Sequence, residues 1–111
     1  MRTPENEILL EKYRAEGSKV FTGRDRGEYV RKESRLDEIA AKNDEVYFVI
    51  PANIYSINPS FFEELFVNVV QKLGRDQFFR KFHFVSEGYP YERPLNEAID
   101  RILRESTGLD V

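Results

Sequence analysis

Five consecutive β-branched and aromatic residues, Val46-Tyr-Phe-Val-Ile50, closed by Pro51, constrain the fold of this chain more than any other segment. An apolar run of that length without alternation predicts an interior strand buried on both faces. The pattern that follows is helical. Phe61, Phe62, Leu65, Phe66, Val69, Val70 and Leu73 recur at offsets of one, three and four residues, and Gly74 supplies a stop. Asn58 can cap this helix, Pro59 suits its first position, and Ser60 with Glu63 has the spacing of a capping box. Only one of these start frames can be realised in full.

The same logic extends outward from this strand and helix. Val20-Phe21 predicts a short strand leading into the loop Thr22-Gly-Arg-Asp-Arg-Gly27. From there to Asn43-Asp44, Tyr29, Val30, Leu36, Ile39 and Ala40 predict one bent helix or two short ones. A turn is expected around Asp76 to Arg80, then a second strand over Phe82 to Val85. A final amphipathic helix carries Leu95, Ala98, Ile99, Ile102 and Leu103 and ends near Gly108. Strands that alternate with helices favour a small mixed or mostly parallel sheet covered by helices, an α/β fold. Ile8, Leu9 and Tyr13 lie near one helical face before Gly17, so residues 1–18 are expected to form a helical arm on an α/β domain of residues 19–111.

At 111 residues there is room for one core. Hydrophobic residues make up 41% and aromatics 14%, enough apolar surface to order the chain. Seventeen basic side chains against 20 acidic ones give a net charge of −3, which provides no overall field for polyanions. Without cysteine there is no disulfide, thiolate metal site or cysteine nucleophile, and a reducing cytoplasm is expected. The first residues hold only Ile8-Leu9-Leu10 as an apolar run, so no signal peptide or membrane span is expected.

No residue set has the spacing of a catalytic or metal centre. His83 is the sole histidine, flanked by Phe82 and Phe84, and reads as a structural strand residue. Ser60 lacks the glycines of a nucleophile elbow. Glu63 and Glu64 are adjacent, point about 100° apart on a helix, and read as solvated first-turn charges. No enzyme, cofactor or metal is therefore expected. Gly23, Arg24, Arg26 and Gly27 are a candidate anion-binding loop, since glycines at a strand-to-helix turn and two arginines suit a phosphate. Arg24 to Arg35 is a basic stretch interrupted by Asp25, Glu28 and Glu33, and it reads first as a mixed-sign helix face. Tyr89 and Tyr91 are candidate contact aromatics.

The stretch from Val46 to Leu73, with Ile57-Asn-Pro-Ser-Phe-Phe-Glu-Glu-Leu-Phe66 at its helix start, resembles the STAS-like domains, relatives of anti-sigma-factor antagonists. Gly23-Arg-Asp-Arg-Gly-Glu-Tyr-Val-Arg31 is similar to the segment those domains carry before the strand. The resemblance covers roughly residues 19 to 104. It implies a non-enzymatic regulatory module whose protein partner, a kinase-like or sigma/anti-sigma-type regulator, docks near the start of the central helix at Ser56, Asn58, Ser60 and Phe62. It also marks Ser60 as the nearest candidate phosphosite. Asn58 stands where the family has an acidic residue, and Pro59 takes the phosphoacceptor position. A sheet shortened by the helical arm would leave an unpaired edge for a second copy or a partner strand. The alternative is a nucleic-acid or phospholigand-binding protein using residues 24–35, and an enzyme acting on a phosphorylated small molecule is a distant third.

Overall fold

The computed structural model describes residues 2–108, so the last three positions of the 19–111 domain lie outside the described residues. The elements run β1 (Glu7–Leu9), β2 (Val20–Phe21), α1 (Arg24–Ser34), α2 (Leu36–Lys42), β3 (Val46–Ile50), β4 (Ser56–Ile57), α3 (Pro59–Lys81), β5 (Phe82–Ser86) and α4 (Glu92–Gly108). Strands β1, β3 and β5 form one parallel sheet in that order, and β2 and β4 form a separate parallel ribbon. The expected α/β class is what the chain adopts, with every strand pair parallel.

Val46–Ile50 is the central strand, as its composition predicts, but it is buried on one face only. Val46, Phe48 and Ile50 are buried while Tyr47 and Val49 are half-exposed. The register Leu9–Val49–Val85 and Glu7–Tyr47–His83 places these half-exposed residues in two rows on the uncovered face. Helices cover the other face. Phe66, fully buried on α3, meets Phe48, Phe62, Phe78, Phe82 and Phe84 with ring centroids 5.2–5.9 Å apart. Dense ring packing of this kind adds to the stabilisation from apolar burial.

Two further expectations are corrected, and one strand is new. Residues 1–18 are not a helical arm: Glu7–Leu9 is the edge strand β1, between 3₁₀ turns at Pro4–Asn6 and Leu10–Tyr13. Ile8 turns into the core while Glu7 and Leu9 turn out, a period of two that three residues cannot separate from a helical pattern. Gly74 does stop the first helical run, at φ +78°, but residues beyond it resume a helix through Lys81 where a turn was expected. Phe78 anchors that turn of helix in the aromatic core. Ser56–Ile57 is a strand that the sequence did not announce, because two residues are too short for periodicity. The choice between one bent helix and two is settled by Arg35, whose φ of +57° separates α1 from α2.

Candidate functional site

The ribbon β2–β4 brings together the two segments singled out separately in the sequence. Tyr55 N–H donates to the Lys19 carbonyl at 2.7 Å and Asn58 N–H to the Phe21 carbonyl at 2.9 Å, so the loop after β2 lies beside the start of α3. Phe21 then packs on Phe61 with ring centroids 5.1 Å apart. The result is one corner of the molecule, built from the start of α1, the start of α3 and the ribbon between them.

Asn58 caps α3. Its side-chain oxygen accepts from Ser60 N–H at 2.9 Å and also from the Ser60 hydroxyl at 2.9 Å. Of the competing start frames, the Asn58–Pro59 frame is therefore the one realised. Asn58 is exposed, and Ser56 and Ser60 are half-exposed. Phe62, by contrast, is fully buried under Phe61 and Phe66, so it supports the corner from within.

The glycine loop divides in two. Thr22, Gly23, Arg24, Asp25, Arg26 and Tyr29 line an open hollow of about 870 Å³. Gly23 precedes α1 at φ +87°, a conformation that suits glycine. Gly27 faces the other way. It is buried against α3, where an added Cβ would lie 2.5 Å from the Phe61 carbonyl oxygen and 3.0 Å from Glu64 Cβ. Its role is to let the two helices approach, not to expose an amide to a ligand.

Glu63 and Glu64 are not solvated charges. Glu63 is buried, and its Oε2 accepts from Arg24 Nη2 at 3.1 Å. Its Oε1 lies 3.8 Å from Arg101 Nη1 and has no hydrogen-bond donor within reach. Glu64 pairs with Arg31 at 3.0 Å and approaches Arg24 at 3.9 Å. Packing α1 and α4 against the first turns of α3 buries the Glu63 carboxylate and ties the partly exposed Glu64 to arginine, which a sequence read one helix at a time does not reveal. Much of the basic stretch is thereby neutralised, since Lys32 pairs with Glu28 and Arg35 with Glu38 as well. Arg26 instead lies 5.0 Å over the Tyr29 ring.

Tyr89 and Tyr91 have structural contacts: the Tyr89 hydroxyl accepts from Ile57 N–H at 2.9 Å, and Tyr91 stacks on Phe84 at 5.1 Å. Burial, and then the charge of Glu92, push the Tyr91 hydroxyl above the usual tyrosine range. His83 sits on β5, 3.1 Å from Glu45 and stacked on Tyr47. Among the described residues, no three His, Cys, Asp or Glu side chains are grouped as a metal site. No helix among them is long and apolar enough to cross a membrane.

Sequence reasoning missed the apolar exposure of this corner. Among the described residues, the exposed large hydrophobic side chains are Val20 at 40%, Tyr29 at 47% and Tyr55 at 82%. Val20 pairs in register with Ser56, the neighbour of Tyr55, and Tyr29 lines the adjoining hollow. The one available signal was Tyr55 itself, a large aromatic between the expected strand and the helix cap. Set against models of known families, curated proteins and solved structures, the chain finds no match in any of the three comparisons.

Proposed function

We propose that this chain is a non-enzymatic, STAS-like regulatory module whose protein partner docks on the corner formed by β2, β4 and the starts of α1 and α3. The observation that carries this reading is the gathering at that corner of Val20, Tyr29 and Tyr55, the large hydrophobic side chains that are exposed among the described residues. Exposed aromatics beside arginine are the residue types that dominate binding energy at protein interfaces. Ser56, Asn58 and Ser60 supply the polar rim, and Arg24 and Arg26 the charge. A phosphate on Ser60 would add negative charge within the rim and change the surface without requiring the domain to unfold.

The test is affinity capture from the native host with the wild-type chain, Tyr55→Ala, Arg26→Ala and, as a control outside the corner, Glu105→Ala. The corner variants should lose the same specific partner that wild type and Glu105→Ala retain, with melting temperatures unchanged. Equal retention by all four would dismiss the corner as the docking site.

A second reading, a phospholigand or nucleic-acid surface on residues 24–35, draws on the open hollow and on Arg26, which lies over the Tyr29 ring. It predicts binding that weakens steeply with salt and a shallower slope for Arg26→Ala. The pairing of Arg24, Arg31, Lys32 and Arg35 with carboxylates ranks it second.

A further inference from the structure

We propose that the outer edge of β5 pairs antiparallel with β5 of a second copy of this chain, joining two three-stranded sheets into one of six strands. Three of the four sheet edges are protected. On β2, both the N–H and the carbonyl of Val20 bond to the Ser18 hydroxyl, at 3.3 and 3.0 Å. On β4, the Ile57 N–H is taken by the Tyr89 hydroxyl. β1 is three residues long and bounded by 3₁₀ turns. Short strands and side chains that occupy edge groups are the usual defences against pairing with another chain.

The fourth edge has none of these. β5 runs five residues, Phe82-His-Phe-Val-Ser86, and its one neighbouring strand is β3. It contains no proline, lysine or acidic residue. Every second N–H and carbonyl of such a strand points away from the sheet.

Charge selects the occupant and its direction. Arg80 and Lys81 lie just before the strand and Glu87 just after it; Arg80 and Glu87 are exposed. Lys81 closes α3 and donates to the carbonyls of Ala40 and Asn43 at 2.8 and 2.6 Å, which ties its ammonium to this chain and leaves Arg80 as the basic group at that end. An antiparallel pair about a two-fold axis at Phe84 sets residue 83 against 85 and 82 against 86, so the end of each strand next to the exposed Arg80 lies beside the end of the other next to the exposed Glu87. Parallel pairing would set like against like. A two-fold interface is self-complementary by construction, and this one repeats each favourable pair twice.

Sedimentation equilibrium across a dilution series is the test, with amide hydrogen exchange at both ends of it. Wild type should pass from the 13.1 kDa monomer to twice that mass, and β5 amides should exchange more slowly at high concentration. Glu87→Lys should move the midpoint to roughly tenfold higher concentration, the effect of turning two weak attractions into repulsions. Adding Arg80→Glu to it should bring the midpoint back. Val85→Lys, a charge on the edge strand itself, should weaken the dimer too. A mass that stays monomeric at every concentration overturns the proposal. So does a dimer whose β5 amides exchange at the monomer's rate, since that places the contact elsewhere and needs no variant to fold.

Discussion

Glu63 and Arg24 stand 39 residues apart in sequence and 3.1 Å apart in space, with the carboxylate buried and the guanidinium 56% exposed. Removing a cation from a buried carboxylate is costly because the remaining charge stays out of water. Here exposure of the guanidinium screens the pair and Arg101 gives partial compensation. Arg24→Ala should therefore cost about 1–2 kcal/mol, well below the loss from breaking a fully buried pair. Glu63→Leu should fall within about 1 kcal/mol of wild type, because it removes the charge as well as the pair. Urea unfolding of both single variants and the double variant checks this, and purely additive effects would show that the two groups act independently.

Asn58, rather than Ser60, should carry the helix cap. Asn58→Ala is expected to cost about 0.5–2 kcal/mol, the usual loss for a side-chain cap. Ser60→Ala should cost less, since the Ser60 backbone N–H remains bonded to Asn58. Thermal unfolding of the pair decides it, and the reverse ranking would mean that the Ser60 frame governs in solution. Ser60→Asp should likewise leave the melting temperature nearly unchanged while weakening partner binding.

Gly27→Ala should destabilise the chain by about 1–3 kcal/mol through overpacking, although alanine is the better helix former. The 2.5 Å approach to the Phe61 carbonyl sets the sign, because backbone cannot yield as a flexible side chain would. Gly17→Ala, with nothing within 4 Å of its added Cβ but a φ of +75°, makes an instructive comparison: its cost is conformational instead. A Gly27→Ala variant as stable as wild type would mean that α1 and α3 slide apart easily.

Phe66→Ala should lose about 3–5 kcal/mol, the range for a fully buried aromatic. Five neighbouring rings define the cavity, and collapse of so many rigid groups is difficult. Equilibrium denaturation giving a loss below about 1 kcal/mol would place that ring on the wrong face of α3.

By itself the sequence determined the elements with strong local signals: the strand Val46–Ile50, the helix begun by Asn58 and Pro59 and halted at Gly74, the strand from Phe82 and the amphipathic helix that carries Leu95 to Leu103. These follow from period, cap and stop residues, all of which act within a few positions. Tertiary structure decided what local signals leave open. Three residues at Glu7–Leu9 become a strand because β3 is there to bond them, and residues after Gly74 stay helical because Phe78 finds the aromatic core. Gly23 and Arg24 turn toward an open hollow while Gly27, in the same loop motif, closes a helix crossing. Glu63 looks like a surface charge until α1 and α4 cover it, and Tyr55 looks ordinary until the fold leaves it 82% exposed beside Val20. Burial depends on which distant surfaces meet, and that is a property of the packed chain rather than of any segment of it.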